Sequence, residues 1–184
     1  MVALEKLTEV FRVLLWDASK ANGLSPIQVQ FLVYLYYQAP ERCRVAQLAY
    51  EFNLTAATVS DAVSALQKKG LVQKKRLPQD GRSFMLQLTA AGKGMGKELA
   101  NYAKPLHRPV RKLPKKQQRS IYQSLLHVIG NLYEGGVITA PRMCYSCRFL
   151  SEAKAGYHCH LLDQGLAEKD LRIDCPEHQL KAVG

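Results

Sequence analysis

Residues 45–92 read VAQLAYEFNLTAATVSDAVSALQKKGLVQKKRLPQDGRSFMLQLTAAG and carry the pattern that decides the fold. A short segment with helical periodicity is followed by a turn at Asn53 and Leu54, and then by a second helical segment that Thr55 caps. This second segment ends at Gly70. Two short strands, LVQKKRL and SFMLQL, flank the turn sequence PQDGR, which predicts a β-hairpin. Helix, turn, capped helix and basic hairpin in this order predict a winged helix-turn-helix.

Helical patterns lie on both sides of this stretch. Apolar residues repeat at helical spacing over residues 2–20 and over residues 114–134. The sequence Ser25-Pro26-Ile27-Gln28 combines an N-cap, a proline at the first helical position and a capping-box glutamine, so it starts another helix. Thr89 caps a helix after the hairpin. KPLHRPVRKLP, residues 104–114, contains three prolines, and we expect it to interrupt the helical structure.

Positive charge is concentrated in the middle of the chain. The 184 residues carry a formal net charge of +11, while residues 137–184 hold six basic and six acidic residues. Residues 68–119 contain fifteen Lys and Arg residues against only Asp80 and Glu98. Such a field suits a polyanion such as nucleic acid, although a charge run can also be only a solvated face.

Neither a secretory signal nor a membrane span is found in the sequence. The N-terminus lacks a basic region followed by an apolar one, and runs such as FLVYLYY are too short to cross a bilayer. We therefore expect a soluble, cytoplasmic protein without a membrane partner. No nucleophile, base and carboxylate are spaced as in a hydrolytic site, so we expect no enzyme.

The second helix of the motif has its polar side chains on the face away from its apolar ones. In a major groove Thr and Ser can bond bases or phosphates, and Ala57 can contact a thymine methyl group. The hairpin adds basic side chains for phosphates, and Arg82 near its tip can enter a minor groove. For Thr58, Ser60 and Ser64 the alternative is an ordinary solvent-facing role. The candidate DNA-binding residues from this reasoning are Thr55, Ala57, Thr58, Ser60, Asp61, Ser64, Lys68, Lys74, Lys75, Arg76 and Arg82.

Together with LSPIQVQFLVYL at residues 24–35, the combination of LQKKGLV, DGR and LTAAG resembles the MarR family of bacterial transcriptional regulators over about residues 4–135. The resemblance implies a homodimer whose first and last helices interlock, with a recognition helix in the major groove and a wing in the minor groove. It gives Arg82 the role of the wing-tip arginine and Asp80 that of the carboxylate that orients it. It also implies a small-molecule effector, commonly an aromatic acid or drug, between the dimer helices and the DNA-binding lobe.

The recognition helix departs from the family pattern in its charge. Asp61 stands where the family often has a polar or basic residue, and no arginine occurs between Thr55 and Lys68. An aspartate repels phosphates but can accept a hydrogen bond from a cytosine amino group. The base preference therefore stays open.

Four of the five cysteines lie in the C-terminal tail, at Cys144, Cys147, Cys159 and Cys175. The C-x2-C spacing brings two thiolates to one tetrahedral ion from a tight turn, and two later cysteines complete four ligands. A tail with so few large apolar residues also needs a staple, and disulfides are rare in the cytoplasm. We therefore predict one zinc ion, with an iron–sulfur cluster as the alternative cofactor. Three histidines could replace a cysteine ligand. They are His158, His160 and His178, and His178 is the first choice.

The sequence thus predicts a mainly α fold with a small β-hairpin wing, long dimerisation helices and a small metal-stapled C-terminal appendix. Residues 1–136 form the winged helix-turn-helix part, with its DNA-binding core at 24–89, and residues 137–184 form the tail. Cys43 is expected to be a small buried apolar residue. The predicted function is a sequence-specific repressor that binds an inverted repeat as a homodimer. The alternatives are an iron–sulfur redox component that docks an acidic partner, and an RNA-binding zinc module, which the neutral, aromatic-poor tail disfavours.

Overall fold

The computed structural model describes residues 2–77, 80–138, 142–153 and 155–181, without the side chains of residues 41, 77 and 80–83. Within these residues the chain forms seven α-helices and five β-strands. They belong to two units, Met1–Lys112 and Leu113–Gly184. No helix in the described part of the chain combines the length and the hydropathy of a membrane span.

The first unit contains six helices and a two-stranded antiparallel sheet. Its elements in chain order are α1 (Val2–Ala21), α2 (Pro26–Tyr37), α3 (Val45–Glu51), α4 (Ala56–Lys68), β1 (Val72–Leu77), β2 (Asp80–Leu88), α5 (Ala90–Leu99) and α6 (Lys104–Lys112). The mainly helical fold with a hairpin wing confirms the predicted fold class.

Side-chain caps start three of these helices where the sequence predicted them. At α2 the Gln28 N–H donates to Ser25 Oγ at 3.4 Å, and the Ser25 N–H donates to Gln28 Oε1 at 3.1 Å. Thr55 Oγ1 accepts from the Thr58 N–H at 3.2 Å to cap α4. Thr89 Oγ1 does the same for α5 with the Gly92 N–H at 3.0 Å. Each bond satisfies a helix N–H that has no partner within the helix.

The core of this unit lies where α2, α3 and α4 meet. Phe31 and Leu32 of α2, Leu48 of α3 and Val59 and Leu66 of α4 have no solvent exposure. Burying each such side chain stabilises the fold by about 1.5–3 kcal/mol. Because the apolar face of α4 is used in this way, its opposite face is left open to solvent.

The wing is tied to the helices at its base. β1 and β2 pair antiparallel, with Val72 opposite Leu88, and the Leu86 N–H donates to the Cys43 carbonyl at 2.6 Å. Cys43 is 3% exposed, which confirms the predicted buried apolar role. A Cβ atom on Gly92 would collide with the Leu71 carbonyl, so glycine is needed where α5 starts against the wing.

The proline-rich segment differs from its prediction, because residues Lys104–Lys112 form the helix α6. Pro105 lies in the first turn, where the missing N–H has no helical acceptor and costs nothing. Pro109 lies inside the helix and removes one hydrogen bond, but the helix ends within a turn of it. Only Pro114 interrupts the helical structure, as the N-cap of the next helix.

The second unit packs a long helix against the cysteine-rich tail. It contains α7 (Lys115–Glu134) and an antiparallel sheet in the order β3 (Leu150–Ala153), β4 (Gly156–Cys159) and β5 (Gln164–Leu166). Its core includes Leu126, Met143 and Leu171, each at most 2% exposed. Because α7 shares this core, it belongs to the second unit, and the boundary between the two units lies between Lys112 and Leu113. The functional division between residues 1–136 and 137–184 stays a prediction.

Candidate nucleic-acid interface and cysteine cluster

The solvent-facing side of α4 presents the predicted recognition residues. Positions 57, 61, 64 and 68 follow helical spacing along this side, opposite the buried Val59, Val63 and Leu66. The predicted residues that are exposed here are Thr55, Ala57, Thr58, Asp61, Ser64 and Lys68. Ser60 is half-buried beside them. The surface therefore offers hydroxyl, methyl, carboxylate and ammonium groups without a large apolar side chain.

Two of these residues also stabilise the start of the helix. The Oγ1 atoms of Thr55 and Thr58 lie 2.9 Å apart, so the two hydroxyls share one hydrogen bond. The far end of α4 is fixed as well, because the Lys69 ammonium donates to the Gly23 carbonyl at 2.8 Å. Fixed ends hold a recognition helix in a defined orientation, which direct contact with base edges requires.

The wing carries the predicted basic residues on β1. Lys74, Lys75 and Arg76 are exposed, and the Arg76 guanidinium lies 5.8 Å from the centre of the Phe84 ring. This ring holds the arginine by a cation–π contact and leaves its charge near solvent. Asp80 and Arg82 belong to β2 by their backbone, but their side chains lie outside the described part of the structure. Their roles stay predictions.

In the tail, the backbone brings the cysteine-bearing segments into one network. Cys144 and Cys147 lie in one 3-10 turn, with the Cys147 N–H donating to the Cys144 carbonyl at 2.9 Å. The Leu150 N–H donates to the Cys147 carbonyl at 3.1 Å, and Leu150 is paired with Cys159 across β3 and β4. The first three cysteines are thus linked through three successive backbone contacts.

The fourth cysteine, Cys175, is connected to the segment that leads into Cys144 by a hydrogen bond to Arg142. The Cys175 N–H donates to the Arg142 carbonyl at 2.9 Å, and the buried Arg142 guanidinium pairs with the Asp174 carboxylate at 2.5 Å. The pair fixes the position of the segment that bears Cys175.

The Cys144 thiol has the most distinctive surroundings. Its Sγ accepts a hydrogen bond from the Arg172 N–H at 3.2 Å. Burial raises the pKa of the Cys144 thiol, the Arg172 N–H lowers it, and Cys175, Cys147 and Cys159 raise it further. The other three thiols are therefore close enough to act on Cys144, and all four are free. Among the described residues, however, no three His, Cys, Asp or Glu side chains are arranged to hold one metal ion.

The tail histidines contact protein groups through Nε2. His178 Nε2 lies 2.9 Å from Ser146 Oγ, and His160 Nε2 lies 2.9 Å from Ser151 Oγ. His158 Nε2 lies 3.4 Å from the Asp163 carboxylate. These contacts position the rings, and the predicted role of a histidine as a substitute ligand stays untested.

The sequence did not identify the individual residues through which α7 contacts the tail. The Tyr122 hydroxyl donates to the Leu171 carbonyl at 3.1 Å. Gln123 Nε2 donates to Glu168 at 3.0 Å, and His127 Nε2 lies 3.1 Å from the same carboxylate. One feature of the sequence points to these contacts: Leu126 widens the apolar stripe of α7 beyond a single face. In the structure Leu126 is buried against the tail.

Comparison with known proteins agrees with this geometry. Residues 22–83 match the model of the MarR family, which covers α2 to the start of β2. No curated protein sequence matches the chain. Among solved structures, the chain is similar to a DNA complex of MepR from S. aureus, with a TM-score of 0.61 and 17% identity over 71% of this chain and 96% of that one.

Two further structures extend the likeness. A probable transcriptional regulator from Pseudomonas aeruginosa has a TM-score of 0.55 and 27% identity over 69% of this chain and 94% of its own. A MarR transcriptional regulator from Methanosarcina mazei Go1 has a TM-score of 0.59 and 22% identity over 73% and 94%. The chain therefore has the MarR-type winged-helix fold, and its residues 22–83 match the MarR family model.

Proposed function

We propose that this protein is a transcriptional repressor that binds an inverted DNA repeat as a homodimer and holds one metal centre in its tail. The observation that carries the DNA-binding part is the exposed polar side of α4, backed by a fully buried apolar side and followed by a basic wing. This arrangement suits a helix in a major groove and a hairpin on phosphates. The same fold bound to DNA in the S. aureus MepR complex supports the proposal.

The homodimer is supported by two apolar stripes that are open to solvent. In α7 the residues Ile121, Leu125, Val128 and Leu132 are 39%, 42%, 47% and 40% exposed and follow helical spacing. In α1 a second set is exposed, comprising Leu4, Leu7, Val10, Val13 and Trp16. Contiguous apolar surface of this kind is costly in water, and a second copy of the chain would cover it.

The metal centre is supported by the donor set and its environment. The thiols of Cys144, Cys147, Cys159 and Cys175 are free, and the other three raise the pKa of the Cys144 thiol. An N–H that donates to sulfur, as Arg172 does to Cys144, stabilises a thiolate that ligates a cation. The small core of the tail gives a reason for a staple, since metal-binding energy is folding energy in such segments. Zinc would supply this staple, and an iron–sulfur cluster would add redox sensitivity.

A selection experiment tests the DNA-binding proposal. Duplexes that bind the purified protein are enriched from a random library and sequenced, and the best duplex is compared with a shuffled copy. We expect an inverted repeat with half-sites about one helical turn apart, because a two-fold dimer presents its recognition helices at that spacing. Enrichment of no sequence would reject the proposal and favour the redox alternative, in which the basic surface docks an acidic protein.

A further inference from the structure

Helix α6 presents a basic stripe that the winged helix-turn-helix does not use. Positions 104, 107, 108, 111 and 112 fall at i, i+3, i+4, i+7 and i+8, which is one side of an α-helix. The stripe consists of Lys104, His107, Arg108, Arg111 and Lys112, all exposed. Four of these five side chains are positively charged at neutral pH.

The stripe does not stabilise the helix that carries it. Like charges four residues apart repel each other, and Lys104, Arg108 and Lys112 form two such pairs in series. No Asp or Glu occurs between Glu98 and Glu134, so the helix has no acidic neighbour along the chain to compensate them. A polyanion outside the chain would remove this repulsion.

The stripe is carried by the body of the winged-helix unit. Just before α6, the Tyr102 ring meets Phe11 edge to face with 5.6 Å between ring centres. Leu99 at the end of α5 is 2% exposed within the core, and the Lys104 N–H donates to the Asn101 carbonyl at 3.0 Å. These contacts attach the start of α6 to the rest of the winged-helix unit through α1 and α5.

The chemistry of α6 fits DNA better than a lipid surface. A helix that lies in a membrane interface needs a broad apolar side with Trp, Phe or Leu, whereas here that side has only the half-buried Leu106 and the exposed Val110. At 1.5 Å per residue the basic stripe is about 12 Å long, which is enough to reach more than one phosphate of a strand. We propose that α6 binds DNA phosphates outside the half-site that α4 reads. This inference rests on the proposed DNA-binding function.

The test removes two charges from the stripe. The variant Arg108→Ala/Lys112→Ala is compared with Lys169→Ala/Lys181→Ala, which lowers the net charge equally but changes exposed lysines of the tail. Affinity is measured against salt on three duplexes: the selected operator alone, the operator with about ten flanking base pairs on each side, and a shuffled long duplex. Circular dichroism checks that both variants keep the helical content of the unmodified protein.

We expect the α6 variant to lower the slope of log affinity against log salt by about 3.6 on both long duplexes, because each chain of the dimer loses two phosphate contacts and each lost contact removes about 0.9. On the short duplex, and for the tail variant on every duplex, the slope should not change. An unchanged slope for the α6 variant on the long duplexes would overturn the inference. The inference would also be overturned if the α6 variant lost binding to phosphatidylglycerol vesicles and kept its binding to DNA. A protein that fails to distinguish the operator from the shuffled duplex, yet shows this slope change, would reject the proposed function alone.

Discussion

Tyr122 of α7 and Cys144 of the tail are joined by a single peptide group. The Tyr122 hydroxyl donates to the Leu171 carbonyl at 3.1 Å, and the N–H of the same peptide, at Arg172, donates to Cys144 Sγ at 3.2 Å. Burial raises the pKa of the Tyr122 hydroxyl, the Ile173 backbone lowers it and Cys144 raises it. The Leu171–Arg172 peptide group therefore forms hydrogen bonds both with α7, the proposed dimer helix, and with Cys144, a proposed metal ligand.

Removing the Tyr122 hydroxyl should loosen the tail on its helix. We expect Tyr122→Phe to lower the stability of the second unit by about 1 kcal/mol, because one hydrogen bond is lost and the ring is kept. Limited proteolysis at increasing urea concentration, with mass spectrometry of fragments from residues 142–181, measures this change. Tyr133→Phe on the same helix is the control. Equal protection of the tail in both variants would contradict the coupling.

Loss of one tail cysteine should release the metal. Cys147→Ser is expected to lose the bound ion and to make the tail protease-sensitive, while the first unit keeps its fold because its core lies in residues before α7. Cys43→Ser, which changes the buried cysteine of the first unit, should keep the metal. Elemental analysis of the unmodified protein, purified without oxygen, should find close to one zinc per chain. Iron with acid-labile sulfide would favour the iron–sulfur cluster. No metal, with all four tail thiols free, would contradict both the zinc site and the cluster.

A charge on the open stripe of α7 should disrupt the dimer. Leu125→Glu places a carboxylate among Ile121, Val128 and Leu132, and burying it there without a partner costs several kcal/mol. We expect monomers or aggregates by light scattering at micromolar concentration. Ser120→Glu adds the same charge outside the stripe and should remain dimeric. A monomeric unmodified protein would contradict the proposed assembly.

The wing-tip arginine should contribute a sequence-independent contact. Arg82→Ala is expected to weaken binding to all duplexes and to lower the salt slope by about one for each chain of the dimer, as for a lost phosphate or groove contact. The same substitution at Arg148, which lies 5.1 Å from the Phe149 ring in the tail, is the control. Unchanged affinity and slope for Arg82→Ala would remove the wing from the DNA interface.

The parts of the fold that depend on local chemistry were predictable. Ser25, Thr55 and Thr89 bond to N–H groups three residues ahead, so the sequence alone locates these helix starts. The outward side of α4 follows from the helical period of Val59, Val63 and Leu66. For the same reason the helical period also predicts which recognition residues of α4 are exposed to solvent.

The tail packing was not predictable, because its contacts join distant parts of the chain. Gln123 and Glu168 meet across 45 residues, and no spacing rule relates them. The strands LSEA, GYHC and QGL are too short and too polar to show an alternating pattern. The helix α6 was missed for a different reason. Three prolines suggest a break, but their effect depends on where in the helix each one falls.

Fluorescence anisotropy on a designed pair of duplexes tests the central claim most directly. Both duplexes carry the same two selected half-sites. In the first duplex the half-sites are one helical turn apart. In the second they are a further half turn apart, which places the second half-site on the opposite side of the duplex. We predict two chains per duplex with the first spacing and an affinity at least about 10³ higher than for shuffled DNA, with most of this advantage lost at the second spacing. Equal affinity for both spacings and for shuffled DNA would contradict a dimeric, sequence-specific regulator.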